Sequence, residues 1–180
     1  MPILSLSEAQ RLIVSHSPIL AAEDTPISEA IGRIAAQAIK AKRAVPNFAR
    51  SSMDGYAVNS RDLSGSAESV SLQVTSEIAA GTTDLPKLAR KTAIAIMTGG
   101  ALPPGANQVV PFERCTRNKD QVLVNSPPRP NAFIRARGTD LAASQTIVRA
   151  GAEIEAQHLP LLAESGLPQV SVVMRPELAI

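Results

Sequence analysis

Fourteen prolines and ten glycines punctuate this chain of 180 residues, and they limit its fold more than any other feature. They leave no room for a bundle of long helices and favour short elements joined by many turns. The apolar residues between them fall into short stretches. Val70, Leu72 and Val74 alternate with Ser and Gln at period two. Thr92 to Met97 is an apolar run that ends in Thr98-Gly99-Gly100, and Gln108 to Phe112 follows the turn Leu102-Pro103-Pro104-Gly105. Ile78 to Gly81, Gln121 to Val124 and Ala132 to Ile134 are further short candidates. Short strands at this spacing predict a small barrel or sandwich in the middle of the chain.

The flanks are mixed. Ser5-Leu6-Ser7-Glu8 has the spacing of a capping box, after which Leu6, Ala9, Leu12 and Ile13 share a helix face. A second helix is expected from near Ser28, carrying Ala30, Ile31 and Ile34. Ile39 to Arg43 alternates like an edge strand with Lys40 and Lys42 outward. Thr146 to Val148 predicts a brief strand, and Ala156 to Ser165 a helix that holds Pro160 in its first turn and stops at Gly166. Val170, Val172 and Met174 alternate as a last strand. The fold class expected is therefore α+β and mostly β.

Composition excludes several functions. Aromatics are 2% and Trp is absent, so Ala, Val, Ile and Leu must build the core. A β-rich nucleic-acid binder has no stacking platform here, and a net charge of +2 is no nucleic-acid footprint. Cys115 is the one cysteine, so no internal disulfide forms. His16 and His158 lack metal-ligand spacing with any partner. No stretch approaches the ~18 consecutive apolar residues of a membrane span. The start, MPILSLSEAQ, shows no secretory signal, so the cytoplasm is the expected compartment.

Three segments set a small polar or acidic residue beside glycine: Met53-Asp54-Gly55, Met97-Thr98-Gly99-Gly100 and Gly138-Thr139-Asp140. Glycine admits close approach to the backbone. The N–H groups beside Gly99 and Gly100 have the makings of an anion nest. The Thr98 hydroxyl is placed to meet a phosphate. Asp54 and Asp140 suit Mg²⁺, which takes one or two carboxylates together with water and phosphate. Plain turns account for all three segments equally well.

These segments, in this order, resemble the molybdopterin molybdotransferase family, MoeA and the gephyrin E-domain. The resemblance rests on ISEAIGR (Ile27 to Arg33), SSMDGYAV (Ser51 to Val58), IMTGGALPPGANQVVPFE (Ile96 to Glu113), IRARGTD (Ile134 to Asp140) and LPLLAESGLPQVSVVMRPELAI (Leu159 to the end). Where the family usually reads FDNSAMDGYA, this chain has Phe48-Ala49-Arg50-Ser51-Ser52. The family's TGA is Thr98-Gly99-Gly100, and Thr139 stands where an acid often precedes the last Asp.

The resemblance implies an elongated dimer of four-domain chains. Residues 1–45 and 140–176 would form a mixed domain, interrupted by a small β-barrel-like domain at 46–139. Residues 177–180 would open a third, pterin-binding α/β domain that lies beyond this sequence. The implied reaction inserts molybdenum from molybdate into adenylylated molybdopterin with Mg²⁺ and releases AMP. Asp54, Thr98 and Asp140 would be catalytic, with Asp54 and Asp140 on the metal and Ser52, Gly55, Gly99 and Gly100 binding the substrates. Implied partners are a second copy of the chain and a molybdopterin adenylyltransferase, with no nucleic acid and no membrane. With the pterin-binding domain absent, turnover by this chain alone is not expected. The alternative is a non-enzymatic dimerisation or interaction module that kept the fold.

Overall fold

A computed structural model describes residues 4–64 and 69–177. Residues 178–180, within the expected opening of the third domain, lie outside the described residues. The first half of the chain carries α1 (Leu6–His16), β1 (Ala22–Pro26), β2 (Ile39–Lys40), β3 (Arg50–Ser51), β4 (Gly55–Val58), β5 (Val70–Ile78) and β6 (Thr92–Ile96). The second carries β7 (Gln108–Pro111), β8 (Cys115–Asn118), β9 (Gln121–Val124), β10 (Ile134–Arg135), β11 (Thr146–Val148), α2 (Leu159–Glu164) and β12 (Gln169–Val173). The expected class holds: the fold is mixed and mostly β. Among the described residues no helix is long and apolar enough to cross a membrane.

Two compact units divide the chain. One is built from residues 1–41 and 145–180, the other from 42–144. In the first, β1 pairs antiparallel with β12 and β2 with β11. Its core gathers Ala30, Ala35, Ile39, Ile154, Leu162 and Val172. The capping box on α1 forms as the spacing predicts: the Ser5 N–H donates to Glu8 Oε2 at 2.9 Å, and the Glu8 N–H donates to Ser5 Oγ at 3.3 Å. Yet no residue of α1 is buried, and Leu6, Ile13 and Val14 stay exposed.

The helix expected from Ser28 is replaced by a single 3-10 turn, Ile27–Glu29. Gly32 adopts a left-handed φ of 76°, and its N–H crosses to Ile154 O at 2.9 Å. A helix cannot run through that conformation. Ile34 instead bridges to Glu153. The edge strand expected over Ile39 to Arg43 shortens to Ile39–Lys40. His16 and His158 are tied locally, by Nδ1 to Leu12 O and to the Glu155 N–H respectively.

The second unit is dominated by one six-stranded sheet in the order β7-β4-β6-β5-β9-β8 that curls into a half-barrel. All its pairs are antiparallel except β5 with β6. Both faces of β4, β6 and β7 are covered. Tyr56, Val58, Ala93, Ala95 and Val110 belong to one core, and Ala57, Ile94, Ile96 and Val109 to another. This is why β6 and β7 read as continuous apolar runs rather than alternating ones.

A bulge in β5 serves both cores. Val74 pairs with Ala93, but Ser76 pairs with Ile94, so Thr75 is an extra residue. One extra residue reverses which side each later side chain faces. Leu72 and Val74 therefore pack on the first core and Ile78 on the second, although all three are even-numbered. The reversal leaves Ser76 Oγ buried without a hydrogen-bond partner among the described residues.

At the start of β4 the backbones press together. A Cβ on Gly55 would lie 2.2 Å from Val110 O, so only glycine fits. Replacing Gly55 with Ala is expected to cost about 3 kcal/mol or more in urea unfolding, from forced separation of β4 and β7. Gly81 has a φ of 86° but nothing within 4 Å of its would-be Cβ. Its replacement by Ala costs only the left-handed penalty, about 1–2 kcal/mol. Equal losses at the two positions would contradict the packing argument.

Candidate functional site

Two loops meet where β4 begins. Main-chain bonds close them against each other: the Leu102 N–H donates to Ala49 O, Ser51 N–H to Gly100 O and Gly99 N–H to Ser51 O, each at 2.9 Å. On the other flank β3 pairs with β10, and the Ser52 N–H donates to Phe133 O at 3.0 Å. Phe133 is left-handed, with a φ of 59°, a conformation costly for a bulky residue. Its ring packs against the second core beneath the Arg114 guanidinium, 5.7 Å from the ring centre. Within the first loop, the buried Ser51 donates through Oγ to Met53 O at 2.5 Å and accepts the Met53 N–H at 3.3 Å. Below it, Tyr56 meets Phe112 edge to face at 5.0 Å.

Asp54 crosses from the first loop to the second. Its Oδ1 accepts the Thr98 N–H at 2.6 Å and the Thr98 hydroxyl at 2.7 Å. Both side chains are exposed. The hydroxyl bond, followed by the backbone bond, holds the Asp54 carboxyl below its ordinary pKa of 3.8. Asp54 is thus a fixed, fully ionised carboxylate at neutral pH. Both bonds fall on Oδ1, so Oδ2 is the atom that fits a cation or its water.

The structure brings Asp54 and Thr98 together as one unit and treats the other candidates differently. The Gly99 N–H is bonded to Ser51 O, and the Gly100 N–H to Met97 O at 2.9 Å. The anion nest expected there is consequently spent on the loop itself. The one Thr98 hydroxyl proton goes to Asp54, so Thr98 positions the carboxylate rather than donating to a phosphate. Gly100 is confined, since a Cβ there would lie 2.8 Å from Met97 O. Ser52 is exposed next to Asp54, with its N–H held by Phe133.

Asp140 accepts from Arg135 Nη2 at 2.5 Å, and its N–H donates to Val45 O at 3.0 Å. β3 and β10 set Arg50 opposite Arg135, and Asp140 offsets part of that like charge. Among the described residues, no three His, Cys, Asp or Glu side chains are arranged to hold a metal ion. Magnesium asks less, taking one or two carboxylates with water and phosphate. Asp54 fits that role; at Asp140 the Arg135 cation competes. Burial, with Glu113 beside it, pushes the Cys115 thiol up to about 11, which keeps it protonated and unreactive.

Sequence reasoning did not single out Ser51 or Phe133. A serine two residues before Met53 was the available signal for the first, since such hydroxyls close local turns. Nothing in the local sequence marks the left-handed Phe133.

The same architecture is found in solved proteins of molybdopterin biosynthesis. A molybdopterin biosynthesis MoeA protein of Pyrococcus horikoshii superposes on 97% of this chain with a TM-score of 0.86 at 30% identity, using 45% of its own length. The chain belongs to the family described as MoeA N-terminal region (domain I and II), which it matches over residues 4–166. It is similar to molybdopterin molybdenumtransferase 2 of Mycobacterium tuberculosis, 33% identical over 98% of this chain and 44% of the relative. A molybdopterin molybdenumtransferase of Nostoc is 32% identical over 99% of this chain and 42% of the relative. The chain therefore spans less than half the length of these relatives.

Removing the Thr98 hydroxyl tests the electrostatics. In Thr98→Val the Asp54 carboxyl pKa should rise toward 3.8 without fully reaching it, because the Thr98 N–H remains. A carboxyl-carbon NMR titration reads this directly. Because the folded pKa is the lower one, the stabilisation is complete above the unfolded value and is lost as pH falls through the folded value. The stability gap between the native chain and Thr98→Val should accordingly be constant at neutral pH and close in acid. An Asp54 pKa unmoved by the substitution contradicts the assignment.

Proposed function

We propose that this chain acts in molybdenum cofactor biosynthesis as the N-terminal part of a molybdopterin molybdotransferase. That enzyme would insert molybdenum from molybdate into adenylylated molybdopterin and release AMP. The observation that carries the reading is the Asp54–Thr98 pair, formed by the two loops that the family resemblance marks. Family membership and the names of the relatives support it.

On this reading Asp54 is the carboxylate that holds a cation, with Thr98 as its positioning residue. Magnesium, when bound, would neutralise charge on the phosphate oxygens as the adenylate is cleaved. Thr98 removes the torsional freedom of Asp54, so no reorganisation is needed when charge develops. Asp140 and Arg135 would bring a paired charge to the same unit. Ser52 and the Gly55, Gly99 and Gly100 backbone would shape the surface against which the substrates lie. The remaining length of the relatives would supply the pterin-binding half of the pocket, within a homodimer of the full protein. A molybdopterin adenylyltransferase would deliver the adenylylated substrate, and the cytoplasm is the compartment we assign.

Complementation in trans tests this. The chain is mixed with a separately produced pterin-binding portion of the same protein, adenylylated molybdopterin, Mg²⁺ and molybdate, and metal insertion is measured. Activity should appear and fall at least about a hundredfold in Asp54→Ala, with the unfolding transition retained because Asp54 is exposed. Undiminished insertion by Asp54→Ala would sink the role given to that carboxylate.

A further inference from the structure

A cleft lies at the other end of β4, roughly 13 Å along the strand from Asp54 at the usual rise per residue. It measures about 350 Å³ and is formed by the segment after β4, the segment before β6 and the turn at Gly105. That volume is within the range of small-molecule sites. Its walls are cross-tied. Asn59 Nδ2 donates to Gly105 O at 2.8 Å, and Asn59 Oδ1 accepts the Arg61 N–H at 3.0 Å. The Leu88 N–H donates to Pro104 O at 2.9 Å. Lys91 is left-handed, with a φ of 57°, and gives its N–H to Asp62 Oδ2 at 2.9 Å. Gly105 permits the close fit, since a Cβ there would lie 3.0 Å from Leu88 O.

Arg61 and Arg90 both line this frame, and both side chains are exposed. Neither makes a hydrogen bond or ion pair with any of the described residues, whereas Arg33 and Arg135 are both paired with carboxylates. Leu88 and Ala89 add apolar surface, and Asp62 one carboxylate. Two planar cations suit an oxyanion bound through several charge-assisted bonds. Asp62 opposes a bare anion but accepts from a hydroxyl. The apolar floor suits a carbon skeleton. We propose that this cleft binds a small phosphate ester bearing hydroxyl groups, with the phosphate on Arg61 and Arg90, the skeleton on Leu88 and Ala89, and a hydroxyl on Asp62. This is independent of the reaction proposed for the Asp54 end.

Amide and arginine side-chain NMR of the whole chain tests it, with ribose 5-phosphate and inorganic phosphate as probes at matched ionic strength. Ribose 5-phosphate should give saturable shifts at Lys91, Gly105 and the Arg61 and Arg90 side chains, with tighter binding than inorganic phosphate. Arg61→Gln with Arg90→Gln should weaken it roughly tenfold or more for each charge-assisted bond removed. The thermal transition should not move, as both side chains are exposed and unpartnered among the described residues. Asp62→Asn keeps an acceptor for the Lys91 N–H and should reduce the advantage of the ester while sparing inorganic phosphate. Three results each overturn the proposal: no saturable shift at these positions, an ester that binds no better than phosphate, or binding that persists in the double arginine variant.

Discussion

No side chain fits between Gly55 and the Val110 carbonyl, and much of the half-barrel unit depends on that close approach. It lets β4 sit between β6 and β7 with both faces buried. A strand so placed cannot tilt or slip without exposing Tyr56 and Val58 on one side or Ala57 on the other. The residue just before it inherits this rigidity. Asp54 is exposed, yet it stands on the end of one of the most deeply packed strands of the unit, where few loop residues are fixed as firmly.

The loop chemistry then has little freedom. Main-chain donors beside Gly99 and Gly100 are used to close the second loop on the first, and Thr98 is used to hold Asp54. What the pair offers a substrate is negative charge in a known place. That suits a bound cation better than a bound oxyanion, and in the proposed function Asp54 is the group that acts while Thr98, which donates to it twice, aims it. Arg50 on β3 brings the opposite charge next to the first loop, while Arg135 opposite it on β10 is paired with Asp140.

Much of this was legible in the sequence because local rules and tertiary packing agreed there. Ser5 and Glu8 formed their box, β6 and β7 showed the continuous runs of doubly buried strands, and SSMDGYAV marked both the position in β4 that only glycine fills and the acid beside it. Reading failed where a single residue reversed a pattern. Gly32 broke the helix that Ala30, Ile31 and Ile34 suggested. The pattern separates Val70 to Val74 from Ile78 to Gly81, whereas one strand, β5, runs through Ile78 with Thr75 as an extra residue that no periodicity count detects. The left-handed Phe133 is tied to Ser52 across a long separation, so nothing local announces it, whereas the bond between Asp140 and Arg135 spans only five residues and turns on the loop between them. α1 is the reverse case: its apolar face is written plainly in the sequence, but no residue of it is buried in this chain.

The central claim is that Asp54 and Thr98 work as one unit in metal insertion. A double-mutant cycle measures that most directly, made in a chimera of the Mycobacterium tuberculosis relative in which this chain replaces the matching segment. Molybdenum insertion is compared for Asp54→Asn, Thr98→Val and the pair together. Each single change should lower the rate, and the double variant should be little worse than Asp54→Asn alone, since Thr98 acts only through Asp54. Losses that multiply in the double variant would show two independent contributions and contradict the claim.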